Sequence, residues 1–370
     1  MKKKKIFQNL CLWLPLFILI SISLLNMLKI GNKMSLYKNY FFKQTLWFIM
    51  GFFILIIIHL IKPKILFKYS KYLYWLNNIL LILVLFFGKT INGSRAWFSF
   101  GFFSFQPSEL LKFTLALTLA EIMSKMPKGT WQKELKFILK SSFYTLIPSL
   151  FVFLEPDTGA IIIYILIFLG TIIAYKINWK WYTLFSLLIT IFLGTFIYFY
   201  YFNKEALIKL IGTSFFYRID RILTFVNKNS FQLDRSLIAI ATSGFLPTGN
   251  YIYVPEYPTD FIIALTINNL GILGFILILL SFLFLDIYFI YYYFKIKNTR
   301  DKMFLIEFLF MFLFAQIENI GMNLGLLPII GLPLPFVSYG GTNIIVYFMF
   351  LAILLDITNF QKSFKKQLTK

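Results

Sequence analysis

Asp260 lies in Pro255-Glu256-Tyr257-Pro258-Thr259-Asp260-Phe261-Ile262-Ile263-Ala264, where a long polar segment enters an apolar one. A carboxylate at such a junction has two readings. It caps the helix that starts there by accepting free backbone donors. Alternatively it is a general base, partly desolvated yet open to the outer face. One carboxylate leaves both open.

A second group of polar residues comes earlier. Asn92-Gly93-Ser94-Arg95-Ala96-Trp97 is followed by Phe105-Gln106-Pro107-Ser108-Glu109-Leu110-Leu111-Lys112. Pro107 reads as a first-turn helix residue. Glu109 and Lys112 are three apart and share a helix face. They form either an ion pair that fixes packing or the lining of a polar cavity. The second reading has weight because a charge in a membrane helix costs about 3 kcal/mol on insertion scales. Arg95 and Trp97 offer a phosphate contact and a sugar face, or an interfacial anchor. Glu155 and Asp157 mark a helical turn at Pro156, where capping by Asp157 is favoured over cation binding. Asn268, Asn269, Glu318, Asn319 and Asn323 are expected to hydrogen-bond between helices.

The third feature is Gly331-Leu332-Pro333-Leu334-Pro335-Phe336-Val337-Ser338-Tyr339-Gly340-Gly341. Pro333 and Pro335 cannot both sit in a helix interior, and Gly340-Gly341 is equally ill suited to one. Irregular backbone at membrane depth must be buried in protein or line a cavity. The segment is therefore expected to be a structured re-entrant element at a working site.

The elements that position these residues are helices in a membrane. Of 370 residues, 59% are hydrophobic and 14% charged, too few charges to cover a soluble surface. Spanning-length apolar runs fall at 10–28, 44–61, 72–88, 107–124, 138–154, 158–175, 181–202, 260–294, 303–327 and 338–358. The expected fold is an all-α polytopic membrane protein of about ten transmembrane helices in a single domain. Residues 203–259, between helices 7 and 8, form a large loop on the outer side, carrying Arg218 and Arg221. Lysine-rich segments at 2–5, 62–71, 125–140, 295–302 and 362–370 place both termini in the cytoplasm. The first apolar run is too long for a signal peptide and reads as an uncleaved helix. The net charge of +21 is scattered between apolar runs, so it reads as topology signal and lipid contact and excludes nucleic acid as a partner. One cysteine, Cys11, and one histidine, His59, argue against a disulfide, a zinc site or a haem.

In this order the motifs resemble the SEDS family of shape, elongation, division and sporulation proteins (RodA, FtsW and SpoVE). The carriers are N-G-S-R-A-W, F-Q-P-S-E-L-L-K, E-P-D-T-G, P-E-Y-P-T-D-F-I and N-I-G-M-N-L-G-L-L-P-I-I-G-L-P-L-P-F-V-S-Y-G-G. G-K-T-I-N-G-S-R is more similar to the RodA type than to the FtsW type. The resemblance implies a peptidoglycan glycosyltransferase polymerising lipid II at the outer face of the bacterial cytoplasmic (inner) membrane, for elongation or division. It also implies a class B penicillin-binding protein as partner. Asp260 falls on the family's proposed catalytic residue, and Trp97, Glu109 and Lys112 on functional positions. Asp260 would take the proton of the attacking sugar hydroxyl. Arg95, Lys112, Arg218 or Arg221 would offset pyrophosphate charge, a task a divalent cation, Mg2+ or Mn2+, would share. Pro258 replaces the family histidine, and Asn268-Asn269 its acidic pair. The family's glycine-rich pattern reads Ala239-Ile240-Ala241-Thr242-Ser243-Gly244. The alternatives are a lipid II flippase or a noncatalytic scaffold for the penicillin-binding protein.

Overall fold

The computed structural model describes residues 2–91, 94–101, 103–213, 216, 231–249 and 251–367. The chain opens with α1 (Lys2–Lys33), α2 (Tyr40–Ile61), α3 (Pro63–Lys68) and α4 (Ser70–Phe87). Three short strands follow: β1 (Lys89–Ile91), β2 (Ser94–Phe100) and β3 (Phe103–Phe105). Next come α5 (Pro107–Met123), α6 (Trp131–Leu154), α7 (Thr158–Tyr175), α8 (Trp179–Phe202), α9 (Lys204–Ile211) and α10 (Phe231–Ala241). The last helices are α11 (Ile262–Lys295), α12 (Thr299–Asn323) and α13 (Gly341–Gln367).

Among the described residues nine helices are long and apolar enough to cross a membrane. The tenth expected span is α5. It has 17 residues, about 26 Å of helix, slightly short of a bilayer core of about 30 Å. It needs no lipid match, because nearly all of its side chains are buried against α4, α7, α12 and α13. The core is a continuous apolar cluster shared by these helices.

The helical polytopic fold is as expected, and one small sheet is added to it. β1, β2 and β3 form an antiparallel sheet in that order, with Thr90 opposite Arg95 and Phe98 opposite Phe105. The signal was present in Ser94-Arg95-Ala96-Trp97-Phe98-Ser99-Phe100, a short aromatic-rich run of mixed polarity. A correction concerns Gly341, which opens α13 instead of lying in irregular backbone. A Cβ there would sit 2.3 Å from the Trp47 ring, so the glycine permits α13 to approach α2 closely.

The chain path sorts the connections between two ends of the bundle. Lys29 Nζ donates to Asn269 O at 2.7 Å, Ser94 Oγ donates to Glu155 O, and α10 packs against α11. These contacts gather the end of α1, the sheet, the α6–α7 turn and the start of α11 at one end. At the other, Arg300 lies over the Phe67 ring at 4.2 Å and reaches Glu121 at 3.5 Å. The long segment 203–259 carries α9 and α10 at the first end, whereas Arg218 and Arg221 lie outside the described residues.

Two helices depart from a simple bundle. α11 breaks at Gly271, which adopts φ 75° and ψ −178°. The backbone N–H groups of Ile272 and Leu273 then donate to Gly244 O and Phe245 O at 3.1 and 3.2 Å. A Cβ at Gly271 would meet Phe245 O at 2.3 Å. α8 has no buried residue in its apolar window, and only Trp181 and Tyr200, near its ends, are covered.

Candidate active site

Asp260 does not cap a helix. Phe261 is the N-cap of α11 and no side chain bonds there. What holds Asp260 is its backbone. Glu256, at φ 54°, turns its carbonyl to accept from the N–H groups of Thr259, Asp260 and Phe261 at 3.1–3.2 Å. The Asp260 carbonyl in turn accepts from Asn319 Nδ2 at 2.9 Å and Asn323 Nδ2 at 3.0 Å, both on buried faces of α12. The same Asn319 amide donates to Leu332 O at 2.8 Å. Asn323 Oδ1 accepts from the Ala264 N–H at 3.1 Å. The carboxylate is thus left half-buried and uncommitted, since no described residue donates a hydrogen bond to it. Burial, and second the charge of Glu256, raise its pKa to about 7. A carboxyl so poised takes and returns a proton at physiological pH.

The proline-rich segment buttresses this turn. Ser338 Oγ donates to Thr259 O at 2.6 Å and accepts from the Leu334 N–H at 2.9 Å. The Tyr339 N–H donates to Pro258 O at 2.8 Å, and Tyr339 stacks on Tyr40 with ring centroids 4.1 Å apart. Pro333 and Pro335 lie in its non-helical stretch, as expected. Gly331 adopts φ 83°, and a Cβ there would stand 3.1 Å from Asp260 Oδ2. Ile330 N–H donates to Glu318 Oε1 at 3.1 Å. The re-entrant element thus approaches the carboxylate with backbone and shapes its surroundings.

The second cluster lies at the other end of this segment. Lys112 Nζ donates to Glu109 Oε1 at 2.6 Å, both side chains being nearly buried. Asn343 Nδ2 donates to Glu109 Oε2 at 3.1 Å. Thr342 Oγ1 accepts from the Gln106 N–H at 3.2 Å, at the start of α5. Asp157 caps α7 as expected, Oδ1 accepting from the Ala160 N–H at 3.0 Å, while Oδ2 accepts from Gln106 Nε2 at 2.9 Å. Tyr164 Oη donates to Ser108 O at 2.7 Å. Burial raises the pKa of Asp157 despite the capping bond and nearby Lys112. Burial, with Asp157 adding repulsion, takes Glu155 to about 9, so it is a neutral acid at pH 7. Where an open cavity was one expectation for Glu109 and Lys112, the structure has a filled polar cluster. Sequence reasoning missed Asn343 and Tyr164; a polar residue two places past Gly341 was the available sign of the former.

The remaining candidates fall elsewhere. Arg95 is exposed on β2, with Nη1 donating to Leu85 O at 3.3 Å, so it serves as an anchor at the end of α4. Half-buried Trp97 is paired with Lys89 in the sheet. Among the described residues no group of three His, Cys, Asp or Glu side chains is placed to hold a metal.

A family model described as cell cycle protein, FtsW/RodA/SpoVE, matches residues 2–363. The chain belongs to this family. A probable peptidoglycan glycosyltransferase FtsW of Wigglesworthia glossinidia brevipalpis is 33% identical over 92% of this chain and 91% of its own. A probable FtsW of Coxiella burnetii is 31% identical, covering 86% of each chain. Peptidoglycan glycosyltransferase MrdB of Helicobacter pylori strain J99 is 28% identical over 87% of this chain and 84% of its own. The FtsW/RodA/SpoVE fold is matched by solved structures too. One, from a peptidoglycan synthase complex coordinating polymerization and crosslinking, has a TM-score of 0.78 at 22% identity, covering 94% of this chain and 98% of its own. RodA of Thermus thermophilus gives 0.65 at 24% identity, covering 94% and 96%. The chain is a helical, multi-pass membrane protein of this family.

Proposed function

We propose that this chain is a peptidoglycan glycosyltransferase that polymerises lipid II at the outer face of the cytoplasmic membrane, with both termini in the cytoplasm. Asp260 is the general base. A hydroxyl of the acceptor sugar attacks the anomeric carbon of the donor. As the new C–O bond forms, the bond to the lipid pyrophosphate breaks, the proton passes to Asp260 and the lipid pyrophosphate leaves. A single base suffices when the anomeric centre inverts. The observation that carries this reading is the Asp260 carboxylate itself. It is free of capping duty, poised near pH 7, and held rigidly through its backbone at one end of a membrane bundle. Pyrophosphate charge is assigned to Arg218 or Arg221, since Lys112 is buried against Glu109. The described residues do not assemble a metal site by themselves, and no step is assigned to a metal.

A class B penicillin-binding protein is the proposed partner, supplying crosslinking. Relatives named FtsW and MrdB both match, so the reading covers division and elongation alike. A transport reading draws on the break in α11 at Gly271, since discontinuous helices recur in transporters. The deciding experiment is polymerisation of fluorescent lipid II by the purified protein, with and without its class B partner, comparing wild type with Asp260→Asn. Polymer from wild type and none from the variant is expected. Equal polymer from both removes Asp260 as the base. No polymer from wild type, together with lipid II flipping in liposomes, moves the assignment to transport.

A further inference from the structure

At the end of the bundle opposite Asp260, a cavity of about 520 Å³ opens between α3, α4, α5 and α6. Lys68, Lys71, Lys125, Lys136 and Lys140 surround it, with Glu121 as the sole lining carboxylate. Glu121 is already engaged, paired with Lys125 and facing Arg300. Lys136 and Lys140 are one helical turn apart on α6 and face the cavity together. Lys71 approaches from the first turn of α4. None of these three meets a carboxylate among the described residues.

Behind the cavity wall lies a buried polar group. Ser70, the first residue of α4, is 1% exposed, and its Oγ has no hydrogen-bond partner among the described residues. A topology signal accounts for scattered lysines in a loop. It does not account for cations converging from α3, α4 and α6 around one concavity whose single lining carboxylate is already engaged. The start of an 18-residue helix adds its positive end to the same space.

We propose that this cavity binds a phosphate-bearing anion, and that its source is the headgroup of an anionic phospholipid. Lipid is favoured over a soluble phosphate by what adjoins the cavity. Trp75, one turn beyond Lys71 on α4, and Leu139 and Phe143, beside and just beyond Lys136 and Lys140 on α6, are exposed on the same two helices. They provide an apolar wall for acyl chains below a seated headgroup. The site is independent of the glycosyltransferase reading.

The test uses the full-length protein in detergent and dioctanoyl phosphatidylglycerol as probe, with dioctanoyl phosphatidylcholine and inorganic phosphate as competitors. Wild type should bind phosphatidylglycerol saturably. Lys136→Gln/Lys140→Gln should bind about tenfold or more weakly, each lysine near a membrane surface being worth about 1 kcal/mol. Lys71→Gln should bind several-fold more weakly. The melting temperature of each variant without lipid checks its fold, and Lys71→Gln carries the test should the double variant unfold. Phosphatidylglycerol binding much tighter than inorganic phosphate assigns the lipid; equal binding assigns a soluble phosphate at the same site. Wild-type affinity in both variants, or equal competition by phosphatidylcholine, overturns the site.

Discussion

Asp260 carries a pKa raised to about 7. A base must be ionised to accept a proton, so polymerisation should rise with pH along a limb centred near that value. Glu256→Gln removes a like charge and should move the limb to lower pH. It should not return it to the ordinary carboxylate range, because burial is the larger cause. Single-turnover rates between about pH 5.5 and 8.5 check both. The same shift has a sign for stability. Between its ordinary value of 3.8 and about 7 the folded state keeps a proton that the unfolded state has lost. Stability from this group is therefore present at low pH and lost as pH rises toward 7. Asp260→Asn, permanently neutral, should melt no lower than wild type at pH 8 while losing polymer formation. A fall in melting temperature would instead mark Asp260 as a structural residue.

The elements around this residue define the next scale. α5 brings Glu109 and Lys112 together, and α13 completes the cluster with Asn343. Lys112→Ala strands a buried carboxylate and should cost about 3–5 kcal/mol, whereas Glu109→Gln/Lys112→Met should recover most of it. Chemical unfolding in detergent tests this, and polymerisation by the stable double variant shows whether the charges serve chemistry or only packing. The re-entrant element makes a different prediction. Gly331→Ala places a methyl 3.1 Å from Asp260 Oδ2 at a backbone conformation that disfavours side chains. The strain is about 1–2 kcal/mol, so folded protein should survive with polymerisation reduced. Unchanged rates would show that the backbone approach to Asp260 is incidental.

For the molecule as a whole, the alternation of ends places Lys33 and Asp260 on one side and Lys71, Gly129 and Arg300 on the other. In a Cys11→Ala background, a single cysteine at Gly129 should react with an impermeant maleimide only in inside-out vesicles, and one at Ser35 only in right-side-out vesicles. The reverse pattern would invert the proposed topology and remove Asp260 from the outer face. α8 adds a whole-molecule feature that hydropathy cannot express. It is as apolar as its neighbours, yet its window has no buried residue, so it meets lipid or another chain along nearly its whole length.

Membrane class, most of the span positions, the capping role of Asp157 and the junction at which Asp260 stands were legible in the residues themselves. Hydrophobic runs, prolines and caps are local properties that the chain states directly. The Glu109–Lys112 pair was legible for the same reason, being three residues apart on one helix. Other features depended on residues distant along the chain. Asn319 and Asn323 reach back some sixty residues to hold the Asp260 carbonyl, and Asn343 reaches Glu109 across more than two hundred. Arg95 and Trp97 sat in the right motif but were carried into a sheet that local apolar counting did not resolve. Tertiary structure alone decided that Asp260 caps nothing. That outcome depends on where α11 begins and on which distant donors satisfy the Asp260 backbone, leaving its carboxylate free to exchange a proton.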